Sequence, residues 1–360
     1  MSRARRRDRR VYLRSHPFLF ALLSAARVVP VLRLGRTVLV HTASGCLDAL
    51  TRVPLDRAAA GTTGGAARRL DAGGLLFDQE GEAHRRTRRR LAEHLGRAGV
   101  ARLRPVWTEV LDRRVRCLAE GGDLDLVPLT AELAGATLAA LLRVDVDPLV
   151  LARAAAAAAA TGVQGHLPGP FRLGRARAAR RAAARLTTLV ADGAEPAGPA
   201  AMLAVAAVNT TVAGLPRAAA WCADEGLWAA ADDPRTRPIL VEELLRVTAP
   251  SPLLPRVAAG AGSVAGHPVR PGDRLALVIR HAVDAHRLGP DLAGPTPPQV
   301  AQLVFGAGPH ACPGAQLARA QLSDLLAALA PHRPKVVRAV ADRRSALPGW
   351  AKLVVRAEVR

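Results

Sequence analysis

Phe305-Gly306-Ala307-Gly308-Pro309-His310-Ala311-Cys312-Pro313-Gly314 is the stretch that decides the reading of this 360-residue chain. It is a glycine-punctuated loop that presents one cysteine and then opens a helix near Gly314. Gly308 and Gly314 permit tight turns and close backbone approach. A cysteine at a helix N-terminus meets the positive end of the macrodipole, and nearby amides donate to its sulfur. Both effects favour thiolate. A thiolate on an otherwise buried loop is what a soft metal ligand requires. On chemistry alone, the alternative is an inert cysteine packed into a turn.

The pattern upstream is mostly helical. Val31-Leu32-Arg33-Leu34-Gly35 and Thr37-Val38-Leu39-Val40-His41 read as two short strands joined at Gly35-Arg36, after which Ser44 caps a helix through Leu47 and Leu50. Glycine and alanine from Ala58 to Gly74 predict a loop, and the basic run from Glu82 to Leu95 has helical spacing. Alanine- and leucine-rich helices continue to Val190, with a break near Gly165 to Pro170. Pro196 to Pro216 carries no formal charge and is nearly long enough to span a bilayer, but Asn209, Thr210 and Thr211 favour a helix buried in a protein core. Another helix is predicted near Ile239 to Val247. Beyond Pro250 the texture turns to short strands at Pro255 to Ala258, Gly266 to Val269 and Asp273 to Ile279, then a proline-rich loop and a last helix. The expectation is a single mainly α domain over 1–360 with a small β region, in which 1–30 is a basic segment and first helix.

The pattern F-x-x-G-x-x-x-C-x-G, with His310 two places before the cysteine, resembles the haem-binding loop of the cytochrome P450 family. In this composition its chance occurrence is on the order of one in a thousand or less. Ala315-Gln316-Leu317-Ala318-Arg319 also looks like the helix that follows this loop in bacterial members. The resemblance implies haem b (iron protoporphyrin IX) as cofactor, Cys312 as its metal ligand, and Phe305, Gly308 and Gly314 in the cofactor-binding loop. The family's E-x-x-R signature is matched by both Glu82–Arg85 and Glu243–Arg246, and the distance to Cys312 selects the second. The resemblance makes Glu243–Arg246 a buried structural ion pair, whereas a solvated surface pair would be worth little.

His84 and Arg88 are four apart, so both can point one way, and they match the H-x-x-x-R by which relatives hold haem propionates. Arg256 and His310 match two further propionate contacts. A carboxylate pair taken into a protein interior needs charge-assisted donors, and arginine suits it best.

One segment departs from the family. Ala206-Ala207-Val208-Asn209-Thr210-Thr211 stands against a pattern of A/G-G-x-D/E-T-T. Thr210 takes the position of the family threonine at the oxygen site, and Asn209 replaces the acid before it. An amide orients water but cannot take up and release protons near neutral pH. Ala207 replaces a glycine that gives oxygen room beside a locally loosened helix. The stretch from Arg88 to Thr210 is also short, with the missing residues near Gly193 to Pro199, where relatives place another helix.

The resemblance therefore implies a haem-thiolate monooxygenase, with Thr210, Asn209 and Thr211 at the oxygen site. Its partners would be a small hydrophobic, natural-product-like substrate and an acidic ferredoxin-type electron donor. Substrate contacts are expected from Ala58 to Phe77, Gly162 to Leu173 and Ser251 to Leu254. The change at Asn209 keeps other readings open: oxidative coupling, peroxide-driven oxidation, or a non-catalytic haem-binding partner.

Composition bounds these readings. Hydrophobic residues make up 50% and charged residues 22%, which excludes a largely disordered chain. Cys46, Cys117, Cys222 and Cys312 lack C-x-x-C spacing, so a disulfide scaffold or structural zinc site is disfavoured. Lysine and arginine number 51 against 30 acids, a net charge of +21 that points to an acidic protein, an anionic membrane or nucleic acid. Aromatics at 3% offer few stacking platforms, which disfavours nucleic acid. Arg3 to Arg10 followed by apolar Pro17 to Ala26 imitates a signal peptide, but the apolar run is short and Arg27 breaks it off from Val28 and Val29. A cytoplasmic protein with no membrane span is expected.

Overall fold

A computed structural model describes residues 1–68, 76–164 and 172–358. Helices α1 (Arg3–Ser15) and α2 (Pro17–Ala26) lead into the hairpin β1 (Val31–Leu34) and β2 (Thr37–Val40), then α3 (Ala43–Thr51) and α4 (Thr63–Arg68). A helical middle comes next: α5 (Gly81–Leu95), α6 (Arg97–Ala119), strand β3 (Asp123–Asp125), α7 (Leu126–Leu142), α8 (Pro148–Gln164) and α9 (Arg172–Leu189). After it stand α10 (Ala197–Glu225), α11 (Trp228–Asp232) and α12 (Arg237–Thr248). The last third holds β4 (Leu254–Val257), β5 (Gly262–Val264), β6 (His267–Val269), β7 (Arg274–Leu277), α13 (Ile279–Ala282) and α14 (Pro298–Ala301). It ends with α15 (Ala315–Leu329) and the hairpin β8 (Lys335–Ala341) and β9 (Trp350–Arg356). The mainly α architecture with a small β region is the one the sequence predicts.

The strands form three sheets, ordered β1-β2-β7-β4, β3-β9-β8 and β5-β6. In the first, β2 pairs antiparallel with β1 but parallel with β7, so Val38 faces Leu275 and Val40 faces Leu277. These residues join Ala49 and Leu50 of α3 in an apolar core beneath the sheet. A larger core gathers α6, α7, α10, α12 and α15 around Trp107, Leu133, Trp221, Leu244 and Leu326. Burial of apolar surface supplies the main driving force for this assembly.

Several details differ from the sequence expectation. Thr42, not Ser44, caps α3, because its hydroxyl accepts the Gly45 N–H at 3.2 Å. The basic N-terminus is itself helical, started by Ser2, whose hydroxyl accepts the Arg5 N–H. The short helix α4 lies inside the expected loop from Ala58 to Gly74. The apolar segment forms a 29-residue helix in which Pro216 sits inside rather than at the end. Proline removes one backbone donor, but residues 213–222 around it are all buried, and tertiary packing overrides the local cost. By length and composition α10 is the one described helix able to cross a membrane; its packing on α1, α7, α8, α9, α12 and α15 makes it a core helix. Between α9 and α10 lie only residues 190–196, without a helix, as the short spacing predicts.

The N-terminal helix is stapled to the core by charge. Asp8 of α1 is buried between Arg217 of α10, at 2.6 Å, and Arg280 of α13, at 3.1 Å. Arg217 also donates to the Tyr12 hydroxyl, which donates in turn to the Thr248 carbonyl at 2.7 Å. The Arg280 guanidinium lies 3.7 Å from the Tyr12 ring centroid, a cation–π contact. Asp8→Ala leaves two buried guanidinium groups without this carboxylate. It is expected to cost about 3–5 kcal/mol in denaturant unfolding.

Candidate functional site

The cysteine loop runs from the end of α14 through a 3-10 turn, Gln302–Phe305, into α15. It is closed by the Cys312 N–H, which donates to the Phe305 carbonyl at 2.7 Å. Gly306 and Gly308 take φ of +77° and +70°, the left-handed region that favours glycine, and a Cβ on Gly308 would press to 3.2 Å from the Leu50 carbonyl of α3. Gly314 differs from expectation. Its φ of −86° suits any residue, and a Cβ there would meet the Cys312 sulfur at an ordinary 3.8 Å. What Gly314 contributes is a backbone N–H that bonds the sulfur.

Cys312 is exposed, yet enough protein surrounds it for burial to push its thiol up. That combination describes a group on the wall of an internal recess rather than on the outer surface. The Gly314 N–H and the charges of Arg88 and Arg319 pull the other way but do not prevail. Burial thus opposes the thiolate form that the helix terminus favours. Ionisation of Cys312 needs a cation to replace the proton, and a soft metal does this.

Beside the loop is a cluster of basic side chains. The His84 ring, buried on α5, stacks on the His310 ring with centroids 3.8 Å apart. One turn along α5, Arg88 donates to the Ala311 carbonyl at 2.5 Å. Arg256, on β4, donates to the Pro255 carbonyl at 2.8 Å. Its guanidinium falls to about 10, first through burial and then through the charge of Arg57. His310 falls to about 3 through burial, with Arg57, His84, Arg256 and Arg88 all adding repulsion. The structure therefore brings together the four residues expected to contact propionates, His84, Arg88, Arg256 and His310, and adds a fifth, Arg57.

Two atoms in this cluster, His84 Nε2 and Arg256 Nε, are buried without a hydrogen-bond partner. The Glu80 carboxylate acts on Arg57. Buried donors without an acceptor are costly unless an anion joins them. A bound group with two carboxylates, lying against a cysteine that a metal can ionise, satisfies both demands. The residues present fit haem.

Arg57 escapes a reading of the sequence because it precedes a glycine-alanine stretch and belongs to no motif. Arg319 is visible there only as part of a helix. In the structure its guanidinium lies 4.7 Å from the Phe305 ring centroid, pairs with Glu242, donates to Gln302 and acts on the Cys312 sulfur.

Glu243 and Arg246 form the buried pair that the resemblance implies, 2.6 Å apart with both side chains 1% exposed. Arg246 also donates to the Val283 and Gly289 carbonyls, and Glu243 accepts the Asp291 and Thr296 N–H groups at 3.1 and 3.0 Å. The pair thus anchors the proline-rich loop before the cysteine. Burial alone would raise the Glu243 carboxyl, but Arg246 and the two backbone donors hold it below its ordinary value of 4.5.

Asn209, Thr210 and Thr211 are half-buried midway along α10. The Asn209 amide donates to the Val205 carbonyl at 2.7 Å and the Thr210 hydroxyl to the Ala206 carbonyl at 2.9 Å. The helix is regular α throughout this segment, with no loosened turn. Among the described residues, no hydrogen bond or ion pair joins these three to the cysteine loop or the basic cluster. Of the expected substrate segments, residues 69–75 and 165–171 lie outside the described residues.

No family model matches the chain. Over 97 residues it is 42% identical to Erythromycin C-12 hydroxylase of Saccharopolyspora erythraea, a match covering 25% of this chain and 24% of that relative. The cytochrome P450 enzyme CYP109B1 from Bacillus subtilis superimposes with a TM-score of 0.72 at 18% identity, over 95% of this chain and all of that one. A mutant of P450 EryK in complex with erythromycin B gives 0.72 at 21% identity, over 96% of this chain and 97% of that one.

Glu243→Ala strands a buried guanidinium and frees the loop, and is expected to cost about 3 kcal/mol or more in denaturant unfolding. A carboxyl held low in the folded state lends stability above its unfolded value and withdraws it as pH falls through the folded one. The stability gap between the parent and Glu243→Ala is therefore expected to be full at neutral pH and to shrink once pH drops below 4.5.

Proposed function

We propose that this chain, whose fold is that of the cytochromes P450, is a haem-thiolate oxidoreductase. In this reading it is a monooxygenase that inserts one oxygen atom from O2 into a small hydrophobic substrate, using electrons from an acidic ferredoxin-type donor. The observation that carries the proposal is the meeting of a loop cysteine with three guanidinium groups and two stacked imidazole rings, among which His84 Nε2 and Arg256 Nε are buried without a hydrogen-bond partner.

Bound there, haem supplies iron-centred oxygen chemistry, to which thiolate donation contributes by favouring O–O cleavage. Cys312 would hold the iron. Arg57, His84, Arg88, Arg256 and His310 would hold the two propionates, whose charges compensate the buried guanidinium groups and accept from the imidazole N–H groups. The Gly314 N–H, Arg88 and Arg319 stabilise negative charge on the Cys312 sulfur. Arg319, fixed by Glu242 and Gln302, also holds the Phe305 ring over which it lies.

Proton handling is where this chain differs. Asn209 has no proton to exchange near neutral pH, and its amide is tied to Val205. Thr210 can relay a proton only by releasing the Ala206 carbonyl. A water chain past Thr210 then delivers protons. The same observations favour a second reading, a haem-thiolate enzyme whose reaction needs less proton delivery, such as peroxide-driven oxidation or oxidative coupling. A non-catalytic haem-binding partner is the limiting case of that reading.

The similarity to an erythromycin hydroxylase and to a P450 solved with erythromycin B supports a macrolide-like natural product as substrate. The exposed arginines Arg85, Arg86, Arg89 and Arg90 of α5, the helix that carries Arg88 to the cysteine loop, offer an acidic donor a docking face. A cytoplasmic location accords with the ferredoxin requirement.

Turnover of a macrolide panel with NADPH, reductase and ferredoxin, compared with peroxide, tests the proposal. Asn209→Asp is expected to raise ferredoxin-driven turnover and coupling by roughly tenfold or more, while the peroxide-driven rate changes little. No product from either source, in the parent or in Asn209→Asp, contradicts an enzymatic role.

A further inference from the structure

We propose that the outward face of α1 and α2, centred on Phe18 and Leu22, docks on an anionic lipid bilayer. The proposal is independent of the haem reading. Helix α2 reads Pro-Phe-Leu-Phe-Ala-Leu-Leu-Ser-Ala-Ala, with no charged residue. One face, Phe20, Leu23 and Ala26, is buried against the protein, where Phe20 meets the Tyr12 ring edge-on. The opposite face is just as apolar and faces outward. Phe18 is 91% exposed and Leu22 54%, and Val28 and Val29 just beyond the helix are 86% and 42% exposed. Phe18, Leu22 and Ala25 fall four and three apart, so they share this face. An ordinary surface helix places polar groups there.

The exposed charge on these two helices is basic. Among the described residues, the acids that lie on α1 or pair with it, Asp8 and Asp224, both have buried side chains. The first 47 residues carry ten arginines and a single acid, Asp8, which is buried among the arginines of the core. Arg6, Arg9, Arg10 and Arg14 on α1 and Arg27 after α2 are exposed. Among the described residues no carboxylate pairs with any of these five.

Apolar side chains that protrude rather than line a groove, rimmed by unpaired guanidinium groups, fit a bilayer interface. Hydrocarbon receives Phe18, Leu22 and Val28, while lipid phosphates meet the arginines. Nucleic acid would satisfy the arginines but not the apolar residues. A protein partner would need a hollow that matches both. At ten residues α2 is about 15 Å long, half the hydrocarbon thickness, so it lies in the interface and does not span it.

Cosedimentation of the full-length protein with phosphatidylglycerol–phosphatidylcholine vesicles, against phosphatidylcholine alone, tests this. Binding is expected to the anionic vesicles and to weaken with salt. Phe18→Ser combined with Leu22→Ser is expected to lower it at least about tenfold without changing the thermal melting curve. Three results would overturn the proposal: no binding to anionic vesicles, equal binding by the double variant (bulk charge alone), or a parent dimer that the double variant dissolves. If the double variant loses ferredoxin binding but keeps vesicle binding, the face belongs to an acidic protein instead.

Discussion

The burial of polar groups beside the cysteine loop, the guanidinium groups of Arg57, Arg88 and Arg256 with the stacked rings of His84 and His310, is the constraint on which the rest of the site depends. Three different parts of the chain, the segment before α4, the helix α5 and the strand β4, deliver cations to one side of the cysteine loop. Burial first, and the neighbouring charges second, lower His310 to about 3 and Arg256 to about 10. Folding would not favour such an arrangement for its own sake, since each buried donor without an acceptor is a cost. The arrangement makes sense when a doubly negative group completes it. The raised thiol of Cys312 extends the same logic, because it too is complete only when a metal takes the place of its proton.

Placing these groups requires rigid supports, and these are also electrostatic. Glu243 and Arg246 fasten α12 to the loop from Gly289 to Thr296, close in sequence to the cysteine loop. Asp8 fastens α1 to both α10 and α13. Each pair is almost fully buried and has further hydrogen-bond partners, the condition under which a buried ion pair holds its geometry. Only a small part of the net charge of +21 is engaged inside the protein, because Arg217 and Arg280 share Asp8 and Arg246 pairs with Glu243.

The cysteine loop, the Glu243–Arg246 pair, four of the five polar groups beside the loop and the first hairpin are legible in the sequence, the hairpin by its local alternation and the others because their order and distance from Cys312 match a family pattern. Arg57 and the staple at Asp8 are not, because they depend on contacts between residues far apart in a chain full of arginine. The cap at Thr42 is hidden behind its neighbour Ser44, since both side chains suit the role and only backbone geometry separates them. Pro216 reads as a helix end because its local cost is plain in sequence and the packing that offsets it is not. The charge state of Cys312 misleads for a similar reason: the helix terminus is visible in sequence, whereas the burial that outweighs it is not.

The central claim is that Cys312 completes a haem site as a thiolate. The most direct measurement is the carbon monoxide difference spectrum of the reduced, haem-loaded protein beside that of Cys312→Ala. The account predicts the red-shifted Soret band of thiolate ligation in the parent and its loss in Cys312→Ala. A parent without that band, or a Cys312→Ala protein that retains it, would contradict the account.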